Sequence, residues 1–200
     1  MTNIGLIGAI AFSIILILLH FLKQENDPSW RMISEYQIGR YGWLMRLAFF
    51  CWSLGVFGVA VALSQHVSAI ADILLIIIAI SMLGAGIFVT DPITTPNESQ
   101  SRASKLHTIF GVITIIGTPF VVTAVDWSLS GNPITASIQP YLLWLTLLVW
   151  IGFIAFISAI AHFGAKKISL GPQAKIGWPN RFMVFTYVVW LVTVAAAIAK

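Results

Sequence analysis

Long apolar runs separated by short polar segments are the feature that most limits how this chain can fold. Such runs occupy residues 4–22, 43–64, 69–90, 106–125, 140–163 and 182–199. Each is close to the roughly 20 residues that a helix needs to cross a bilayer. The sequence therefore predicts an all-α protein, an integral membrane bundle of six transmembrane helices that forms a single domain over residues 1–200.

The composition excludes a soluble globular protein and gives no sign of a nucleic-acid partner. Charged residues make up 9% of the chain and hydrophobic residues 58%, whereas soluble domains carry about 25% charged residues. The net charge of +4 comes from basic residues that are dispersed rather than clustered in a patch. The partner that the composition predicts is the lipid bilayer.

The first link, residues 23–42, is the longest polar segment and contains the signals of a short helix. Asp27 is suited to an N-cap, Pro28 to the first helical position, and Gly39 to a stop. We expect a short interfacial helix between the first two spans, with its apolar side toward lipid. Four aromatic residues are expected to anchor it at the interface: Trp30, Tyr36, Tyr41 and Trp43.

The distribution of basic residues predicts the orientation. The chain has 11 lysines and arginines, and all except Lys200 lie in or beside the first, third and fifth links. The positive-inside rule places these three links in the cytoplasm. Both termini are then on the non-cytoplasmic side.

The third span has two features that bear on packing and on a site. Its small residues Ser81, Gly84, Ala85 and Gly86 predict a face for close helix contact. It runs into Asp91-Pro92, and because proline disfavours helix at the preceding residue, we expect the helix to end near Thr90 or Asp91.

Four ionisable residues are predicted to lie at the cytoplasmic ends of the spans, and such groups are candidates for function. They are His20, Asp91, His107 and His162. Histidine and aspartate can ligate zinc, with Asp91 as ligand or base of a metal-dependent hydrolase acting on lipid. A haem b site would need His107 and His162 to face each other, which requires spans four and five to be adjacent.

The alternative is that these residues only stabilise helix ends. Histidine is favoured at a helix C-terminus, which accounts for His20 and His162. Asp91 could pair with Arg46 or Lys105, or cap the chain that leaves the third span.

Two stretches resemble a known family. One is Ile33–Phe50, which contains Glu35, Tyr36, Gly39-Arg40-Tyr41-Gly42 and Arg46; the other is Gly86–Asp91 followed by Leu106-His107 and Gly111. They are similar to the signatures of the domain of unknown function 998 family (DUF998), multi-span prokaryotic membrane proteins. The Asn180-Arg181-Phe182 start of the last span, followed by Trp190, is similar as well.

The resemblance implies a six-span bundle and location in a prokaryotic inner membrane. It also marks Asp91 and His107 as the candidate site residues. It implies no activity. The sequence departs from the family pattern at Val89, where proline is common, and at Arg46, where a small polar residue is common.

Two classes of function are compatible with the sequence. The leading hypothesis is a non-catalytic protein, either an accessory subunit bound to other membrane protein subunits or a lipid-associated factor. The alternative is a metal- or haem-dependent membrane enzyme or redox protein with a His/Asp site at the cytoplasmic face. A transporter is less favoured because the span centres lack polar or broken helices.

Overall fold

Six long helices make up the bundle in the computed structural model, which describes residues 2–165 and 171–199. They are α1 (Thr2–Leu22), α2 (Gly42–Leu63), α3 (Ala69–Ile87), α4 (Arg102–Leu129), α5 (Leu142–Ala165) and α6 (Gly177–Ile198). All six are long and apolar enough to cross a membrane, and the described ranges contain no β-strand. The predicted all-α, six-span fold is confirmed.

The helices form a ring in chain order. Each helix packs against the next, α6 returns to pack against α1, and α2 also contacts α6 across the ring. Consequently α2 and α6 are the most buried helices, whereas α5 leaves most of its surface for lipid. The pair α4 and α5 packs less extensively than the other neighbours in the ring.

Glycine pairs allow α1 and α2 to approach at backbone distance. Gly5 and Gly8 of α1 face Gly55 and Gly58 of α2. A Cβ atom on Gly8 would lie 2.5 Å from the carbonyl oxygen of Cys51 and 2.6 Å from the amide nitrogen of Gly55. Close packing of this kind holds helices together in lipid, where the hydrophobic effect gives little attraction between them.

The small residues of α3 also allow close helix contacts. Gly84 lies against the ring of Phe110 in α4, and Gly86 lies against the ring of Phe50 in α2. Ser81 is buried as well. The small side chains therefore let α3 pack against α2 on one side and α4 on the other.

The first and third links and the described part of the fifth link meet at one end of the bundle. We call this end the basic face and define it as residues 23–41, 88–101 and 171–176. The amide of Gly177 donates to the carbonyl oxygen of Ser29 at 3.1 Å, which joins the fifth link to the first. Lys166 and Lys167, which contribute to the predicted orientation, lie outside the described residues, as does Lys200.

The first link differs from the prediction in form and in exposure. Its helix is a single 3₁₀ segment, Ile33–Gln37, and Asp27 accepts from the amide of Ser29 in a turn rather than capping a helix. Ile33 and Tyr36 are buried inside the protein instead of facing lipid. The reason is that the polar side chains of this segment hydrogen bond to the bundle below it, as described in the next section.

The four predicted aromatic anchors separate into two groups. Trp30 and Tyr36 are buried in protein, whereas Tyr41 is half-buried and Trp43 is 62% exposed. Gly39 has φ +71°, a conformation that glycine adopts without strain, and the chain turns there before α2 begins.

Three helices, α3, α4 and α6, differ most from the hydropathy boundaries. α3 ends at Ile87, earlier than the predicted Thr90 or Asp91, and side chains bind the carbonyl groups of Ala85 and Gly86 in its last turn. α4 begins at Arg102 because Ser101 accepts the amide of Ser104 as an N-cap, and it continues beyond residue 125 to Leu129. α6 begins at Gly177, with proline tolerated in its first turn.

The close approach at Gly8 gives a prediction. Gly8→Ala should lower the free energy of unfolding in detergent by about 1–3 kcal/mol, because backbone atoms of α2 occupy the position of the new methyl group. Gly164→Ala is the matched control, since a Cβ atom placed on Gly164 would have open space around it to a distance of 4 Å. An equal effect of the two substitutions on thermal unfolding would contradict this account of the α1–α2 contact.

Candidate functional site

The C-terminal end of α3 is surrounded by side chains from other parts of the chain. The carbonyl oxygen of Ala85 accepts from Gln37 Nε2 at 2.7 Å and from His107 Nδ1 at 3.0 Å. His107 Nδ1 also lies 2.9 Å from the carbonyl oxygen of Phe88, and Arg46 Nε donates to that of Gly86 at 3.1 Å. The last carbonyl groups of a helix have no partner within the helix, so these side chains complete α3.

These contacts show which ring nitrogen of His107 carries the hydrogen in the neutral side chain. Both groups near Nδ1 are carbonyl oxygens, which only accept, so Nδ1 carries the hydrogen. In the neutral ring, Nε2 then has a free lone pair. The side chain is only 7% exposed and lies between the end of α3 and the interior of the bundle.

Asp91 caps the start of α4. Its Oδ2 accepts from the amide of Ser101 at 2.6 Å and its Oδ1 from the Ser101 hydroxyl at 3.2 Å, while its own amide donates to Ser104 Oγ at 3.0 Å. A carboxylate at a helix N-terminus is stabilised by the helix dipole. Within the described ranges, Asp91 forms no salt bridge with Arg46 or Lys105.

His20 is held by a buried arginine of α6. His20 Nδ1 donates to the carbonyl oxygen of Leu16 at 2.7 Å, and Arg181 Nε donates to His20 Nε2 at 2.9 Å. Because the guanidinium can only donate, Nε2 must act as the acceptor. This pairing fixes the ring and engages both of its nitrogen atoms.

The same arginine also connects the first link to α6 through hydrogen bonds. Arg181 Nη1 donates to the carbonyl oxygens of Arg31 and Pro28 at 2.6 Å and 3.2 Å, and Nη2 donates to the hydroxyl of Tyr36 at 3.1 Å. Asn180 Oδ1 accepts the amide of Ile33 at 3.0 Å. The start of α6 therefore satisfies the backbone of the first link.

Glu35 joins the first link to the third. Its Oε1 accepts from Arg31 Nη1 at 2.9 Å and from the amide of Ile93 at 3.0 Å, and its Oε2 accepts from the amide of Met32 at 3.1 Å. The carboxylate is 2% exposed. A buried charge needs such partners, and here it has one cation and two backbone amides.

Two ionisable groups of the first link have shifted pKa values. Burial lowers the pKa of Lys23, with Glu25 acting in the opposite direction, and its Nζ donates to the carbonyl oxygens of Tyr36 and Ile38. Hydrogen bonds from Ser29 lower the pKa of Asp27, which is solvent-exposed. Both groups help to hold the fold of the link.

A cavity of about 660 Å³ lies beside Asp91 and His107, and we call it the lateral groove. Its polar side is formed by the first and third links, including Glu35 and residues 90–97. Its apolar side is formed by the later turns of α4 and by α5 and includes Val112, Ile115, Phe156 and Ile160. The first two turns of α4 add Ser104, His107 and Thr108 to the polar side.

The packing of α4 and α5 explains why the groove is there. The side-chain contacts between these helices lie toward the end of the bundle away from the basic face. Phe120 meets Trp150, Trp150 Nε1 donates to Thr123 Oγ1 at 3.0 Å, and Thr146 donates to Asp126. Nearer the basic face, the lateral groove occupies the space between the two helices.

The four sequence-predicted candidates do not converge. Asp91 and His107 line the lateral groove, whereas His20 binds Arg181 and His162 is exposed in the last turn of α5. Across residues 2–165 and 171–199, no three histidine, cysteine, aspartate or glutamate side chains form a group that could hold a metal ion.

Sequence reasoning did not single out a second buried acid, Asp126. Its Oδ1 accepts from Trp190 Nε1 at 2.9 Å and its Oδ2 from the Thr146 hydroxyl at 2.7 Å, so it joins α4, α5 and α6. The signal available in the sequence was an acid near the end of an apolar run. Its two partners are distant in the chain and could not be identified from spacing.

The role of Arg181 can be tested by removing its donors. Arg181→Met should destabilise the protein by roughly 3 kcal/mol or more, because several buried acceptors of the first link would lose their partner. Arg102→Met, at an exposed position, is the control and should have little effect. Thermal unfolding in detergent measures both, and an unchanged midpoint for Arg181→Met would contradict the role of this cluster.

Comparison with known proteins identifies a family without assigning an activity. No curated protein matches the chain, and no solved structure matches it. The model of one family, described as a protein of unknown function (DUF998), matches residues 6–197. Together with the six apolar helices, this match shows that the chain is a membrane protein belonging to the DUF998 family.

Proposed function

We propose that this protein is a non-catalytic, lipid-associated membrane protein that holds one membrane amphiphile in the lateral groove. One observation carries the proposal: the groove is mostly polar where the links of the basic face and the first two turns of α4 border it, and apolar where the later turns of α4 and α5 border it. That division matches a molecule with a polar head and an apolar tail.

The size and position of the groove support an amphiphile. Its volume of about 660 Å³ falls in the range of roughly 300–1,000 Å³ that is typical of small-molecule sites. Val112, on its apolar side, is 46% exposed on the lipid-facing surface of α4. A lipid can therefore reach the groove sideways from the bilayer.

The groove favours a lipid-associated factor over an accessory subunit. An accessory subunit needs a surface for another protein, whereas a concave site with a polar and an apolar side suits a smaller ligand. The metal- or haem-dependent alternative has weaker support, because only Asp91 and His107 of its four candidates line the groove.

Filling the groove tests the proposal. Ile160→Trp should sharply reduce the fraction of protein that carries a bound lipid in native mass spectrometry, because Ile160 lines the groove. Ile151→Trp is the matched control on the same helix, at a position that is 55% exposed to lipid and does not line the groove. Equal lipid occupancy in both variants would refute the groove as the binding site.

We also propose that the basic face lies in the cytoplasm of a prokaryotic cell, with both termini across the inner membrane. The support is that every lysine and arginine except Lys200 lies in or beside the first, third and fifth links.

Single cysteines can test this orientation in a Cys51→Ala background. Ser130→Cys, exposed in the fourth link, should react with a membrane-impermeant maleimide in intact spheroplasts. Ser99→Cys, exposed in the third link, should react only after permeabilisation. The reverse labelling pattern would invert the proposed orientation.

A further inference from the structure

One face of α4 leads from the lateral groove to a second cavity deeper in the bundle, which we call the inner chamber. This chamber has a volume of about 80 Å³ and is lined by residues of α2, α3, α4, α6 and the first link. His107, Gly111 and Thr114 line it from α4, and the first two also line the lateral groove. The two cavities therefore adjoin along this face.

Gly111 leaves the space between them open. A Cβ atom at this position would have no atom within 4 Å, apart from its immediate neighbours in the helix. By contrast, Gly84 and Gly86 are in close contact with aromatic rings. Gly111 is thus not needed for helix packing, and its effect is to leave room between His107 and Thr114.

Thr114 has an unused hydroxyl group in the inner chamber. The side chain is 6% exposed, and its Oγ1 has no hydrogen-bond partner within residues 2–165 and 171–199. The other threonines of α4 are all hydrogen bonded within the helix. Thr108, Thr118 and Thr123 each donate to the carbonyl oxygen four residues earlier. A buried polar group without a partner is costly, so a ligand that binds Thr114 would gain affinity.

His107 supplies a second polar group for the ligand, a hydrogen-bond acceptor. Its Nδ1 hydrogen is directed at Ala85 and Phe88, so in the neutral ring Nε2 accepts a hydrogen bond. His107 and Thr114 are about 10 Å apart along the helix axis, from a rise of about 1.5 Å per residue. Side chains at this spacing suit two oxygen atoms separated by several bonds in one ligand.

The charge of the lining disfavours an anionic head. Among the described residues, no lysine or arginine lines the lateral groove or the inner chamber, whereas Glu35 and Asp91 both line the groove. Among these residues, a phosphate group would meet two acids and no cation that lines either cavity, at an electrostatic cost. An uncharged head with a hydroxyl donor fits better.

We propose that the amphiphile is a neutral acylglycerol, whose free hydroxyl donates to His107 Nε2 and whose ester carbonyl accepts from Thr114 Oγ1. This inference rests on the proposed function of the lateral groove and specifies the class of lipid that the groove takes. The hydroxyl end lies at His107, where the polar side of the lateral groove meets the inner chamber. The ester carbonyl enters the inner chamber toward Thr114, and the acyl chains leave between α4 and α5.

Binding to the full-length protein in phosphatidylcholine nanodiscs tests the choice of head group. The probes are 1,2-dioleoylglycerol, its 3-O-methyl ether and dioleoyl phosphatidic acid, which share the same acyl chains. Loss of one buried hydrogen bond should weaken binding of the methyl ether about tenfold. Phosphatidic acid should bind still more weakly. Equal or tighter binding of either comparison lipid would overturn the inference.

Substitutions in α4 test the two residues. Thr114→Val should weaken dioleoylglycerol binding by about three- to tenfold without lowering the unfolding midpoint in lipid-free detergent. Thr118→Val is the matched control, because its hydroxyl is engaged within the helix, and it should leave binding unchanged. Equal effects of the two substitutions on binding would overturn the role of Thr114.

His107→Asn separates the structural and binding roles of the histidine. The asparagine amide can still donate toward the end of α3, but the acceptor at the position of Nε2 is lost. The variant should fold and should bind dioleoylglycerol and its methyl ether equally. A retained tenfold preference would overturn the role of His107.

The outcomes distinguish this inference from the proposed function. If Ile160→Trp abolishes lipid binding but dioleoylglycerol is not preferred, the groove remains a lipid site and only the head-group assignment fails. If Ile160→Trp leaves lipid occupancy unchanged, the proposed function itself fails.

Discussion

The last carbonyl groups of α3 would be without hydrogen-bond donors in a membrane unless side chains from elsewhere reached them. Ala85 and Gly86 are buried inside the protein, and an unpaired buried backbone group is costly. Gln37 from the first link, Arg46 from α2 and His107 from α4 supply the donors. These hydrogen bonds bring the first link, α2 and α4 together around the end of α3, and they organise the basic face.

The same arrangement determines which side of the basic face is closed and which is open. Arg181 and Asn180 hold the first link on α6, and Glu35 joins it to the third link. Near the basic face, no side-chain hydrogen bond among the described residues joins α4 to α5; the two that do lie toward the other end of the bundle. The lateral groove lies on that side, with the unused nitrogen of His107 at its inner end.

The spans could be predicted from the sequence because hydropathy alone determines which segments enter a bilayer. The 3₁₀ segment of the first link could not, because Glu35 and Gln37 find partners at Ile93 and Ala85, far along the chain. Without knowledge of those partners, the aromatic residues of the first link have the pattern of interfacial anchors that face lipid. The early end of α3 was missed for the same reason, since the local signal of Pro92 predicted an end near Thr90 or Asp91.

The candidate site was only partly predictable. Asp91 and His107 stood out as ionisable groups at span ends, and both line the groove, but His20 and His162 share that signal and lie elsewhere. The position of a residue along a span predicts its depth in the membrane. It does not predict which side of the helix the residue occupies or which neighbour it contacts. Thr114 carries no distinguishing signal in the sequence, because threonines in helices usually bond to their own backbone.

The most direct test of the lateral groove is an electron cryomicroscopy structure of the full-length protein in lipid nanodiscs. We expect elongated density between α4 and α5, running from Phe156 and Ile160 toward His107, in a gap that stays open. A structure in which protein side chains close this gap, with no density between the two helices, would contradict the central claim.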